Sequence, residues 1–144
     1  MIKNDRQYRI TKAQAGRFTK AIQESKASPK GTVHPLLRKA QINAIESQLG
    51  DLLSEIEEYE TLRSGRRKVA TLDSLEKLST TLIQARIVAG LSQADLASKL
   101  GLKAQQIQRY EATDYQSASL ERVNEIMRTL GVKLRHPAEL RLVS

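Results

Sequence analysis

The chain has 144 residues, of which 40% are hydrophobic and 28% charged, so it is long enough for one ordinary domain or two small ones. Aromatic residues make up only 3%, which argues against a β-sandwich or barrel, and the absence of cysteine excludes disulfides and cysteine-ligated zinc. The net charge of +8 favours a polyanionic partner, but it is equally compatible with a solvated basic surface.

The first residues contain no apolar core of the kind that a signal peptide needs. No stretch approaches the roughly 20 apolar residues that cross a bilayer. We therefore expect a soluble cytoplasmic protein that has no membrane partner. The charge is distributed unevenly, with +8 over residues 1–40, −5 over residues 41–64 and +5 over residues 65–144.

A first helix is predicted from Thr11 to about Ser25. Thr11 followed by Gln14 fits a capping box, in which each side chain accepts from the other residue's free backbone N–H. Apolar residues then recur at helical spacing, at Ala15, Phe18, Ala21 and Ile22. The Ser, Pro and Gly residues within 26–34 predict a loop after this helix.

The longest periodic run predicts a helix that starts at Pro35, because a missing N–H suits the first helical position. Its apolar residues step by three and four, as in a heptad seam: Ile42, Ile45, Leu49, Leu52, Ile56, Tyr59 and Leu62. Such a seam packs either on the helix 11–25 or on a second copy of itself. Its length favours the second copy, which would make residues 42–59 of this seam a dimerisation surface.

Gly65 and the three basic residues after it predict the end of that helix and a solvated linker. The sequence therefore divides into a helical dimerisation or interaction region (1–64), a basic linker (65–71) and a second domain with a short tail (72–144). Residues 132–135 alternate and predict a short strand near the end.

The second domain is a series of short helices. Asp73 or Ser79 is predicted to cap the first and Ser119 the fourth. Ser92 caps the second helix, with Asp95 at its third position, and Gly101 ends it. The third helix is predicted from about Lys103 to Tyr110, which leaves residues 112–118 as a loop.

The second and third of these helices meet across a short turn and form a helix-turn-helix, whose second helix can lie in the major groove of DNA. That helix buries Ile107 and exposes Lys103, Gln105, Gln106, Gln108 and Arg109. Glutamine pairs with adenine and arginine with guanine, and basic side chains also contact phosphates. The same residues would, however, also suit a helix face that is merely solvated.

Residues 79–131 resemble the Cro/C1-type (XRE-type) helix-turn-helix domain. The resemblance is carried by the helix around Arg86 and by the segments GLSQADLASKLGL, QQIQRYE and LERVNEIMRTLGV. It implies a lambda-repressor-like domain of five short helices that regulates transcription and binds a palindromic operator as a dimer.

By position, the resemblance implies roles for individual residues. Gln93 would contact DNA at the start of its helix, and the bases would be faced by Ala104, Gln105, Gln106 and Arg109. A buried ion pair would join Arg86 to Glu111. The loop 112–118 departs from the family, since it contains Asp114 where basic residues are common. Its backbone N–H groups, Tyr115 and Ser117 would then have to contact phosphate, and we expect Arg67 and Lys68 of the linker to do the same.

No catalytic constellation is present in the sequence. His34 and His136 lie in different halves, and the Ser74-x-x-Lys77 motif lacks its partner motifs. We therefore expect neither an enzyme nor a protein with a metal or other cofactor.

The sequence predicts an all-α protein with a long coiled-coil-like N-terminal region and a C-terminal DNA-binding domain. The predicted function is sequence-specific binding of double-stranded DNA by a homodimer that represses transcription. An alternative is an antitoxin whose N-terminal half binds a toxin, because the layout resembles that of HigA-like antitoxins. A third hypothesis, non-specific coating of nucleic acid, predicts no preferred site, and the glutamine-rich helix argues against it.

Overall fold

A computed structural model describes residues 1–27, 34–65 and 77–132, and the chain divides into two compact units, 1–67 and 68–144. The described residues contain helices and no strand, which confirms the predicted all-α class. The described residues of the first unit form two helices, α1 (Asp5–Ala27) and α2 (Pro35–Arg63). Those of the second unit, residues 77–132, form four shorter ones: α3 (Leu78–Val88), α4 (Gln93–Lys99), α5 (Ala104–Ala112) and α6 (Leu120–Thr129).

Helix α1 begins six residues before the predicted start at Thr11, which lies inside the helix and does not cap it. The cap is Asn4, whose side-chain oxygen accepts from the backbone N–H of Gln7 at 2.9 Å. The Gln7 side chain in turn accepts from the backbone N–H of Lys3 at 2.7 Å. This exchange satisfies the N–H of Gln7, one of those that a helix start leaves without partners, and also the N–H of the residue that precedes the cap.

The first unit is an antiparallel pair of helices. Early α1 meets late α2, since Tyr8 stacks on Tyr59 with ring centroids 5.2 Å apart, whereas late α1 meets early α2 through Lys26 and Glu46. Tyr59 also donates a hydrogen bond to the Asp5 carboxylate at 2.9 Å. The α1 stripe that faces α2 steps by three and four, and its members are buried or half-buried: Tyr8, Thr11, Ala15, Phe18, Ile22 and Ser25.

Within the chain, α1 therefore covers the apolar seam of α2, which is the first of the two partners that the sequence allowed. The coverage is uneven. Ile56, Tyr59 and Leu62 are buried. Four earlier seam residues are only half-buried: Ile42, Ile45, Leu49 and Leu52. The seam of α2 is therefore fully covered near the end of the helix and only partly covered before it.

The second unit forms around a core that α3 to α6 share. Ser92 caps α4 and Ser119 caps α6, as predicted, but Ser79 lies within α3, whose N-terminal flanking residue is Lys77. Each helix contributes side chains that are buried: Leu82, Ile83 and Ile87 from α3, Leu96 and Ala97 from α4, Ile107 from α5, and Val123 and Ile126 from α6.

Some sequence predictions concern residues outside the described ranges. These are the linker residues Arg67 and Lys68, the alternative cap Asp73, His136 and most of the strand predicted at 132–135. Of the helices in the described ranges, none combines the length and apolar character that a membrane span requires.

Candidate nucleic-acid interface

Helices α4 and α5 pack against each other across a short turn. Gly101 takes a φ of +67°, the left-handed conformation that glycine adopts without strain. The Leu102 N–H donates to the carbonyl of Ala97 at 2.9 Å, which closes the end of α4. The buried Leu96 and Ile107 then set the inner faces of the two helices, so α5 presents its other side to solvent.

The start of α4 is fixed by a capping box between Ser92 and Asp95. The Ser92 hydroxyl accepts from the Asp95 N–H at 3.1 Å, and the Asp95 carboxylate accepts from the Ser92 N–H at 2.9 Å. The hydrogen bonds from the Ser92 hydroxyl and backbone hold the pKa of Asp95 below its ordinary value. These hydrogen bonds therefore fix the conformation of the first turn of α4, which carries Gln93.

A buried ion pair connects α3 to α5. The Arg86 guanidinium donates two parallel hydrogen bonds to the Glu111 carboxylate, from Nε at 2.6 Å and from Nη2 at 2.8 Å. The residues are 2% and 0% exposed, and Arg86 also donates to the carbonyl of Leu91 at 2.9 Å. Gln93 donates to the same carboxylate at 2.7 Å. The buried Glu111 carboxylate of α5 therefore holds α3 and α4 in fixed positions relative to its own helix.

The outer face of α5 carries the polar residues that the sequence singled out. Lys103, Gln105, Gln106 and Arg109 are exposed and Ala104 is half-exposed, so the structure places them together on one short helix face. Gln106 has a second role, because its side-chain oxygen accepts from the Lys103 N–H at 3.0 Å and caps α5. This bond orients the amide and leaves its two N–H donors pointing away from the cap.

The loop after α5 differs from the sequence expectation at Tyr115. Its side chain is 6% exposed, and its hydroxyl is buried with no hydrogen-bond partner among the described residues. Burial raises the pKa of this phenol, and the nearby Glu111 carboxylate raises it further. We therefore correct the expectation that the Tyr115 side chain contacts phosphate: it is part of the core and packs beside Tyr110.

The same loop uses several of its backbone donors internally. The N–H groups of Tyr115, Gln116 and Ala118 donate to carbonyls within the loop or at the end of α5, at 2.7, 3.0 and 3.0 Å. Ser117 is exposed, and its hydroxyl lies 3.0 Å from that of Thr113. Of the predicted phosphate contacts in the loop, Ser117 therefore retains an accessible side chain.

Two features of this surface were not predicted from the sequence. One is the hydrogen bond between Gln93 and Glu111, which joins the start of α4 to the buried pair. The other is the capping role of Gln106, which the spacing Lys103-x-x-Gln106 could have indicated. Within the described ranges, no cluster of three or more potential metal-ligating side chains occurs.

Comparison with known families agrees with this geometry. The model of the family described as Helix-turn-helix matches residues 82–136, which are 55 of the 144 residues and include α4, the turn and α5. No curated protein and no solved structure is significantly similar to the chain. The second unit therefore carries a helix-turn-helix domain of the Cro/C1 (XRE) type, the DNA-binding module of a family of transcriptional regulators.

Proposed function

We propose that this protein is a sequence-specific repressor that binds a palindromic operator as a homodimer. The observation that carries the proposal is the outer face of α5, where exposed amide and guanidinium groups lie on a helix held in place by a buried ion pair. A helix of this kind can enter the major groove, which is wide enough to admit it. The fixed orientation of α5 favours base reading, because paired hydrogen bonds to base edges require accurate placement of its side chains.

The polar residues on and around α5 would have different roles in binding DNA. Gln105 and Arg109 extend from the exposed face and would read bases, as would the two amide donors of Gln106. Lys103 and Ser117 flank this face and would contact phosphates, which position the helix without carrying sequence information. Gln93 would contact DNA from the start of α4, where the Glu111 carboxylate anchors its side-chain amide.

Gln105→Ala and Arg109→Ala are each expected to weaken binding to the preferred site by about 1–3 kcal/mol and to relax base preference at one position. Binding to random DNA should change little. The measurement is selection of sites from a random library, followed by affinity titrations on preferred and random duplexes. Lys103→Ala is the comparison, because a phosphate contact should weaken binding to both duplexes alike. If Gln105→Ala and Arg109→Ala also reduce both affinities equally, α5 does not read bases.

Tyr115→Phe is expected to leave DNA affinity unchanged and to raise the free energy of unfolding, by about 1 kcal/mol at most. The substitution removes a buried hydroxyl that has no hydrogen-bond partner in the described part of the chain, and such a group is costly to keep from water. Chemical denaturation and operator titration provide the two measurements. A marked loss of affinity in a folded Tyr115→Phe protein would show that the hydroxyl does reach the DNA.

The homodimer is proposed to form through the first unit. Ile42, Leu49 and Leu53 lie one to two turns apart along one side of α2, which we call the α2 edge. Two of them are only half-buried by α1, and Leu53 is 52% exposed. A second copy packing on the α2 edge would remove this apolar surface from water, which favours association.

The antitoxin function is a second candidate, and a different observation favours it. Leu36 and Leu37, in the first turn of α2, are 72% and 55% exposed and are not covered by α1. Adjacent exposed leucines suit an apolar pocket on a protein partner. Coexpression with the product of the neighbouring gene tests this role. Formation of a stoichiometric complex that Leu36→Ser abolishes would support it, and the absence of a complex would leave the repressor as the function.

A further inference from the structure

The outer side of α1 carries a row of basic residues that the helix-turn-helix function does not use. Arg6, Arg9, Arg17 and Lys20 are all exposed, and their spacing of 3, 8 and 3 places them on one face of the helix. We call these four residues the arginine row. It lies on the side of α1 opposite the stripe that packs on α2, so the row does not contribute to the helix pair.

Most of the arginine row is not neutralised within the described part of the chain. No salt bridge to Arg6, Arg9 or Arg17 occurs among these residues, and Lys20 has only an exposed contact with Glu24 at 3.7 Å. Helix α1 carries six basic and two acidic residues, whereas α2 carries three basic and six acidic ones. The basic character is therefore concentrated on one helix of the pair.

We infer that the arginine row is a second DNA-contacting surface, which binds the phosphate backbone of the duplex that α5 reads. This inference rests on the proposed DNA-binding function. Three of the four side chains are arginines, whose planar guanidinium groups can bind phosphate through two hydrogen bonds. Residues 6–20 span about 21 Å of helix, long enough to meet several phosphates of a duplex.

Small residues in the middle of the arginine row allow a DNA phosphate backbone to approach the helix closely. Ala13 lies between Arg9 and Arg17 on this face, and a Cβ at the adjacent Gly16 would meet no atom within 4 Å. One large apolar side chain, Ile10, is exposed beside the row at 58%, which is fewer than amphipathic helices use to enter a membrane surface. Because both units belong to one chain, a duplex bound by the second unit is presented to the first at a high effective concentration.

A matched pair of double variants in the full-length protein tests this inference. One removes two charges from the row, by Arg9→Gln and Arg17→Gln. The other removes two charges from the flank of the same helix, by Lys12→Gln and Lys26→Gln, where the ammonium groups already pair with Glu60 and Glu46. Net charge changes equally in the two proteins, so any difference reflects position.

The readout is the slope of the logarithm of affinity against the logarithm of salt concentration, measured on the selected site and on a random duplex. The slope should fall by about 1.8 per protomer for the Arg9/Arg17 variant, because each lost phosphate contact removes about 0.9, and so by about 3.6 for a homodimer on its operator; for the Lys12/Lys26 variant it should fall by less than about 0.5 per protomer. Preference for the selected site should be unchanged. Lengthening the duplex by about 10 base pairs on each side should strengthen binding of the wild type but not of the Arg9/Arg17 variant.

Two outcomes would overturn the inference, and a third would separate its failure from that of the proposed repressor function. Equal slopes for the two variants would mean that the row does not contact DNA. Weakened self-association of the Arg9/Arg17 variant with an unchanged slope would instead identify the acidic α2 of a second copy as its partner. If the wild type shows no preferred site, the proposed repressor function fails, but the slopes on random DNA still decide whether the row binds phosphate.

Discussion

Glu111→Ala should lower the free energy of unfolding of the second unit by about 3–5 kcal/mol, because it removes the buried carboxylate that compensates the charge of the Arg86 guanidinium. The pair is buried, joined by two hydrogen bonds, and extended to α4 by Gln93. Glu111→Gln keeps the shape of the side chain but not its charge, so we expect it to lose most of the same stability. Hydrogen exchange of the α3–α5 amides measures this unit separately from the first.

Glu121→Ala is the control, since this glutamate is exposed at the start of α6 and its loss should change stability by about 0.5 kcal/mol or less. The combined replacement Arg86→Met and Glu111→Leu provides a second check. Replacing both charges with apolar side chains removes the unpaired charge, so stability should recover towards that of the wild type. Equal destabilisation by Glu111→Ala and Glu121→Ala would show that the buried pair does not stabilise the unit.

Leu53→Glu should convert the protein to a monomer and reduce affinity for a full palindrome by about 10²–10⁴-fold, with little change on a half-site. The reason is that a dimer makes the second half-site contact intramolecular. Leu53 is a better position for this test than Leu49 or Leu52, because those two half-buried residues also pack on α1 within the chain. Sedimentation and operator titration are the two measurements.

Ser54→Glu is the matched control, because it adds the same charge at the next residue, which is exposed and points away from the α2 edge. Far-ultraviolet circular dichroism should show unchanged helicity for both variants. If Leu53→Glu leaves self-association intact, the dimer does not form through the α2 edge. A wild type that is monomeric at micromolar concentration and still binds its operator tightly would contradict the dimer itself.

Much of the second unit could be predicted from the sequence, because its structure depends on local signals. Ser92 and Asp95 lie three residues apart and cap each other, and Gly101 provides the left-handed turn that separates two short helices. The exposed face of α5 follows from one inward Ile107 among polar neighbours. Here helical spacing, caps and turn residues all indicate the same helices and turn. The helix-turn-helix can therefore be predicted from the sequence without knowledge of contacts between distant residues.

The tertiary structure decided what depends on contacts between distant residues. The periodicity of α2 defined its apolar seam but not its partner, since an apolar stripe is satisfied by any complementary surface; the fold places α1 there. Tyr115 reads as a polar loop residue, yet packing places its ring in the core beside Glu111. The Gln93 hydrogen bond likewise requires a carboxylate 18 residues away. Local spacing thus determined the elements of this protein, whereas burial and long-range pairing determined which of their side chains remain available to bind DNA.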